Sequence, residues 1–108
     1  MEALKEAIQE RRNIKPNSIR AYLISIKKIH NAIFTDESEM ENVDFLTDDE
    51  KVYDAIKDLK LTTQKNYLSA IIVALDATDP IKYQEEIENY RDYLDKLSTE
   101  LKIQINTN

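Results

Sequence analysis

The sequence contains no cysteine, no glycine and no tryptophan, and it has only two prolines among 108 residues. Without cysteine, the chain can form no disulfide, no thiolate metal site and no cysteine nucleophile. Without glycine, the φ > 0 positions that tight β-hairpins prefer have no natural occupant, which argues against a sheet-rich fold. A composition that is 42% hydrophobic and 33% charged therefore predicts one all-α domain around a single core.

Long apolar runs and clusters of metal-binding side chains are also missing. No stretch reaches the roughly 20 apolar residues that cross a bilayer, and the charged first residues do not resemble a signal peptide. We therefore expect an intracellular protein, cytoplasmic or nuclear, with no membrane partner. The acidic segment 35–42 lacks the glycine that bends an EF-hand loop. We interpret the single histidine, His30, as a packed or half-exposed ring, and we expect no metal and no cofactor.

The acidic residues of this chain are concentrated in one region. The net charge is −6, which taken alone disfavours nucleic-acid binding. Residues 1–34 nevertheless carry a local charge of +4, whereas residues 35–61 carry −7. A basic face on an anionic protein is therefore compatible with this sequence.

The longest amphipathic run follows Pro16, and we expect Asn17 or Ser18 to cap its helix. A shorter helix is predicted before it, over residues 1–12. Core positions of the long run recur at three- and four-residue spacings. They are Ile19, Tyr22, Leu23, Ile26, Ile29, Ile33 and Phe34. The opposite face is polar and basic, and it carries Arg20, Ile24, Lys27 and Asn31, with Lys28 beside them.

Two further helices are predicted in the middle of the chain. Thr47 and Glu50 have the spacing of a capping box, and the helix after them should turn Val52, Tyr53, Ile56 and Leu59 inward. Thr62 or Thr63 should cap the next helix. Its inward positions are Tyr67, Leu68, Ile71, Ile72, Ala74 and Leu75. Its outward positions are Lys65, Asn66, Ser69 and Val73.

The last helix is predicted to start at Asp79-Pro80 and to carry an apolar heptad repeat. We call this repeat the heptad seam; it consists of Tyr83, Ile87, Tyr90, Leu94, Leu97 and Leu101. Such a seam either packs back on the core or joins copies into a homo-oligomer, and the sequence leaves both open. We accordingly divide the chain into a helical region, 1–79, and a C-terminal helix, 80–108.

Two short stretches resemble a known family. Pro16 to Ile26 (PNSIRAYLISI) resembles the first helix of the core-binding domain of tyrosine recombinases, the phage-integrase-type proteins. Thr62 to Ile71 (TTQKNYLSAI) resembles a later helix of that domain. The Asp44-Phe45-Leu46 stretch and the tyrosine-rich last helix are most similar to versions from large DNA viruses and eukaryotic mobile elements.

This resemblance implies a four- to five-helix orthogonal bundle of the SAM-like type, with a longer C-terminal helix, that clamps duplex DNA. In the family a separate domain carries the catalytic tyrosine, so the resemblance implies a non-catalytic DNA-binding module in DNA recombination and integration. The implied contact residues are Arg20, Lys27, Lys28, Asn31, Lys65, Asn66 and Ser69; we call them the DNA-facing set. Because Ile71 to Val73 stand where the family has a basic residue, the resemblance implies weak binding by this chain alone.

The alternative reading is a helical protein interaction domain. In that reading, the acidic surface repels nucleic acid and the heptad seam mediates oligomerisation. A free-standing enzyme would have to work with carboxylates such as Asp48 and Asp49, which are better explained as charges that stabilise a helix start. Salt-sensitive DNA binding distinguishes the first reading from the second.

Overall fold

The computed structural model describes residues 2–11, 15–34 and 43–106, and all regular structure within these ranges is helical. The α-helices are α1 (Glu2–Arg11), α2 (Pro16–Ile33), α3 (Asp49–Ile56), α4 (Leu61–Thr78) and α5 (Gln84–Asn106), and a 3₁₀ helix covers Asp44–Thr47. The predicted all-α bundle with a longer C-terminal helix is confirmed. The acidic segment 35–42 lies outside the described residues. Among the described helices, none combines the length and apolarity that a bilayer span requires.

Helix α4 lies at the centre of the bundle and packs against α1, α2 and α5. Six consecutive residues, Ala70 to Leu75, are buried. A helix that is apolar on all sides is expected to be enclosed by its neighbours, and α4 is enclosed in this way. Val73, predicted to point outward, is therefore only 5% exposed, and that prediction was wrong.

The starts of α2 and α4 are fixed by the backbone and not by capping side chains. Lys15 and Lys60 precede the two helices in extended conformation, and neither helix start has a side-chain cap bond. Pro16 suits the first helical position because it has no N–H to leave unpaired, and it biases the residue before it toward extended backbone. The predicted caps at Asn17 or Ser18 and at Thr62 or Thr63 are wrong because both helices begin earlier.

Helix α3 begins one residue later than its capping box predicted. The Asp48 carboxylate accepts a hydrogen bond from the Lys51 backbone N–H at 3.2 Å and is the N-cap. The Thr47 hydroxyl instead donates to the Asp44 carbonyl oxygen at 2.7 Å, inside the preceding 3₁₀ helix. Because the Thr47 hydroxyl is already hydrogen-bonded within the 3₁₀ helix, Asp48 is the residue that caps α3.

The inner face of α3 is narrower than predicted. Val52 and Ile56 are buried as expected, but Tyr53 is 47% exposed and Leu59, beyond the helix end, is 38% exposed. The eight residues of α3 pack mainly on α2, so only one stripe of this short helix is covered. Tyr53 lies outside that stripe.

Asp79 holds the turn between α4 and α5. Its carboxylate accepts hydrogen bonds from the backbone N–H groups of Ile81 at 3.2 Å and Lys82 at 3.0 Å. This is the local bonding that makes Asp a frequent turn residue. Helix α5 therefore begins at Gln84, later than the Asp79-Pro80 start that the sequence predicted.

A polar link joins the start of α5 to the 3₁₀ helix. The Tyr83 hydroxyl donates a hydrogen bond to the Asp44 carboxylate, and the Lys82 ammonium lies 3.5 Å from the same oxygen. The hydrogen bond from Tyr83, with help from the charge of Lys82, lowers the pKa of Asp44 below its ordinary value of 3.8. A carboxyl group with a lowered pKa adds stability above its unfolded-state pKa, and that stability is lost as the pH falls through the folded-state pKa.

Replacing Tyr83 with Phe should therefore destabilise the fold more at neutral pH than in acid. We expect a loss of about 1.5 kcal/mol at neutral pH, the lower end of the range for a hydrogen bond to a charged group, because Asp44 is exposed to solvent. The loss should shrink as the pH falls below 3.8 and Asp44 becomes protonated. Urea unfolding of both proteins at neutral pH and near the lowered pKa measures the difference. Tyr22→Phe, on a half-buried tyrosine of α2, is the control, and an equal loss at both pH values would contradict the prediction.

Candidate nucleic-acid interface

Helix α2 supplies the main polar face of the predicted site. Arg20, Lys27, Lys28 and Asn31 are all exposed, as predicted, and Ile24 between them is 47% exposed. The opposite face holds Ile19, Ile26 and Ile29 in the core. The 18 residues of α2 include no Asp or Glu, so this helix carries positive charge only.

The cations of the DNA-facing set are available to a ligand. In the parts of the chain that the structure describes, no carboxylate lies within ion-pair distance of Arg20, Lys27, Lys28 or Lys65. Elsewhere lysines are engaged: Lys57 lies 3.4 Å from Asp54 on α3. An unpaired cation gains more from a phosphate than a paired one, because no existing ion pair has to be broken.

Helix α4 is exposed at its two ends, and its members of the DNA-facing set lie in its first turns. Lys65 and Asn66 are exposed and Ser69 is half-buried, while the following residues enter the core. The burial of Val73 ends the outward face that the sequence had extended along the whole helix. Because α2 and α4 pack directly on each other, both helices that carry the DNA-facing set are neighbours in the bundle.

His30 stabilises the end of α2 as a packed aromatic ring. It is 5% exposed, and its ring centroid lies 4.7 Å from that of Phe34 and 5.2 Å from that of Phe45. This agrees with the prediction of a packed ring. Phe34, predicted as core, is instead 37% exposed at the C-cap and packs against His30 from the outside. The His30 Nδ1 atom lies 3.5 Å from the side-chain oxygen of Asn31, which is itself exposed.

Most of the heptad seam packs on this chain's own core. Tyr83, Ile87, Tyr90 and Leu97 are buried, and Leu94 packs against the same cluster while partly exposed. Leu101, the last residue of the seam, is half-buried and does not belong to this cluster. The Tyr90 hydroxyl also donates to the Leu46 carbonyl oxygen. The burial of these residues in the single chain favours packing on the core, and self-association stays a prediction. Self-association through these residues would require most of them to leave the core.

Gln64 is a buried polar residue that the sequence analysis missed. It is 3% exposed, and its side-chain nitrogen donates to the Leu59 carbonyl oxygen at 2.7 Å and to the Lys57 carbonyl oxygen at 3.2 Å. Its side-chain oxygen accepts from the Tyr93 hydroxyl at 3.1 Å. The spacing of Gln64 from Leu68 and Ile71 puts it on the buried face of α4, and this spacing is the signal that could have revealed it.

No protein-family model, curated protein or solved structure matches this chain. The likeness of Pro16 to Ile26 and of Thr62 to Ile71 to the recombinase core-binding domain therefore stays a prediction from those residues. An argument for function has to come from the chemistry of the exposed side chains.

Proposed function

We propose that this chain is a non-catalytic DNA-binding module that contacts duplex DNA through α2 and the first turns of α4. One observation carries the proposal. Helix α2 presents Arg20, Lys27 and Lys28 on its exposed face, and it contains no acidic residue although the whole chain has a net charge of −6. Local charge of one sign attracts a polyanion even when the net charge does not.

The residue types of the DNA-facing set suit contact with a phosphate backbone. Arg and Lys neutralise phosphates and release condensed counterions, which makes the affinity strongly dependent on salt. Asn31, Asn66 and Ser69 are short hydrogen-bonding groups that can reach phosphate oxygens or base edges. Four cations give a small electrostatic footprint, so we propose weak binding by this chain alone. The recombinase resemblance suggests a core-binding module that acts together with a catalytic domain.

Reversing the charge of Lys27 and Lys28 should weaken DNA binding strongly. We expect the Lys27→Glu, Lys28→Glu double variant to bind a labelled duplex at least about tenfold less tightly at low salt, since two phosphate contacts become two repulsions. The slope of log K against log salt concentration should also fall by roughly 2, because each lost phosphate contact contributes about 0.9. Fluorescence anisotropy over a salt series measures both quantities.

The matched control is Lys96→Glu with Lys102→Glu. Both lysines are exposed on α5, and this pair changes the net charge by the same amount as the test pair. We expect it to reduce affinity only slightly and to leave the salt slope unchanged. If the native chain does not shift duplex DNA at low salt, or if both double variants lose affinity equally, the proposal is wrong.

A further inference from the structure

A groove lies between α3 and α5, on a part of the surface that the DNA-facing set does not use. Helix α3 packs mainly on α2, whereas α5 packs mainly on α4. Residues of both helices, together with Leu68 of α4, line a cavity of about 320 Å³. This volume lies at the lower end of the range of small-ligand cavities, roughly 300 to 1000 Å³, and suits one large side chain better than a whole helix.

The groove has apolar walls and an apolar floor. Tyr53 of α3 and Tyr93 of α5 meet edge to face, with ring centroids 5.5 Å apart. Tyr53 is 47% exposed and Tyr93 is half-buried, and both line the groove, so a ligand can contact these two side chains. Beneath them the floor is formed by Val52, Ile56, Leu68 and Tyr90. We call this site the tyrosine groove.

The rim of the tyrosine groove is acidic. Asp49 and Glu50, both exposed, line it on the α3 side, and the amide of Asn89 lines it on the α5 side. Burial raises the pKa of Tyr90 at the floor, and the negative charges of Asp49, Asp48 and Glu86 raise it further. Among the described residues that line the groove there are two exposed carboxylates and no cation, which disfavours DNA there and favours a cationic ligand.

We propose that the tyrosine groove binds a cationic peptide segment of a partner protein, which packs one aromatic or branched aliphatic side chain against Tyr53 and Tyr93. Lys or Arg residues that flank this anchor lie next to Asp49 and Glu50, and Asn89 can bond the peptide backbone. The partly exposed ring of Tyr53 adds to the preference for cations, because aromatic rings attract Lys and Arg. A buried apolar anchor surrounded by complementary charge is the usual arrangement of a small recognition site.

A synthetic peptide with one Phe flanked on both sides by Lys is the probe. Fluorescence anisotropy should show that it binds the native chain and that high salt weakens the complex. A peptide with Ala in place of the Phe, and another with Gln in place of each Lys, should each bind at least about tenfold more weakly, since each lacks one of the two parts of the recognition.

Two variants of the chain test the location of the site. Asp49→Asn with Glu50→Gln removes the rim charge but keeps the side-chain shapes, and Tyr53→Ala removes the exposed wall. Each should weaken probe binding about tenfold or more. The first matched control is Glu6→Gln with Glu10→Gln on α1, which removes the same amount of charge at residues that do not line the groove. The second is Ile81→Ala in the turn before α5, which removes an apolar side chain that is even more exposed than Tyr53. We expect both controls to bind like the native chain, and circular dichroism should verify that all variants fold.

The proposal is overturned by any of three outcomes. The first outcome is that the probe does not bind at a protein concentration of about 1 mM, at which even weak binding is detectable. The second is an equal loss of binding in the groove variants and their controls, which would show a response to net charge only. The third is a sedimentation coefficient of the native chain that rises with concentration and is reduced by Tyr53→Ala. In that case the occupant is a second copy of this chain. None of these outcomes depends on whether α2 binds DNA.

Discussion

Replacing Ile71 with alanine should lower the free energy of unfolding by about 2 to 5 kcal/mol, the range measured when large aliphatic core residues are truncated. Ile71 is fully buried on α4, the helix that α1, α2 and α5 enclose. The loss has two parts, because the removed methyl groups no longer gain from burial and because the packed neighbours collapse only partly into the cavity. Native domains unfold with a free energy of roughly 5 to 15 kcal/mol, so this one substitution should remove a substantial part of the total stability.

The matched control for this prediction is Ile81→Ala. Ile81 is the same residue type, but it is 85% exposed in the turn between α4 and α5. Truncation there leaves no cavity, so we expect a change of no more than about 0.5 kcal/mol. Urea unfolding followed by circular dichroism measures both variants. Similar losses for Ile71→Ala and Ile81→Ala would mean that α4 is not the centre of the core.

Replacing Gln64 with alanine should cost about 2 to 4 kcal/mol, although this residue is polar and lies in the first turn of a helix. The side-chain nitrogen of Gln64 donates hydrogen bonds to the carbonyl oxygens of Lys57 and Leu59, in the segment that connects α3 to α4. The side-chain oxygen of Gln64 accepts a hydrogen bond from the Tyr93 hydroxyl. Since Gln64 is only 3% exposed, water cannot easily replace the lost side chain. A buried polar group that loses its hydrogen-bond partner, and gains no water in its place, destabilises the folded state.

A double-mutant cycle separates these bonds. Tyr93→Phe removes only the hydroxyl that donates to Gln64, so we expect it to cost about 1 kcal/mol alone and less in the presence of Gln64→Ala. The control is Gln84→Ala, at the exposed start of α5, which should change stability by no more than about 0.5 kcal/mol. Strictly additive effects of Gln64→Ala and Tyr93→Phe would contradict the bond between the two side chains.

Sequence periodicity predicted the elements that are decided locally. The spacing of Ile19, Ile26 and Ile29 predicted the buried face of α2, and the polar residues between them are exposed as expected. The same reasoning predicted the heptad seam of α5, because an apolar face at regular spacing must be covered by something. The residues of the helix do not decide whether this chain's own core or a second copy covers that face, so the sequence left both roles open.

The predictions that failed depend on neighbours distant in the sequence. Val73 is buried because α4 is surrounded, and Tyr53 is exposed because α3 has one main neighbour. The burial of Val73 has a partial local signal, because residues 70–75 are all apolar and such a run is expected to be enclosed. The exposure of Tyr53 has no such signal in the few residues on either side. The capping errors have another cause, since Thr47 and Asp48 are both good N-caps and the 3₁₀ helix, which binds Thr47, decides between them. The link from Tyr83 to Asp44 joins residues 39 positions apart and has no local signal.

The backbone of α4 runs as one continuous helix from the proposed contact surface into the core. Lys65, Asn66 and Ser69 directly precede the enclosed residues Ala70 to Leu75, so the start of this helix cannot bend without disturbing the packing behind it. A ligand that binds these side chains therefore meets a preorganised platform. Only the ends of a few side chains lose conformational entropy in such an encounter, and little of the binding free energy has to be spent on ordering the backbone.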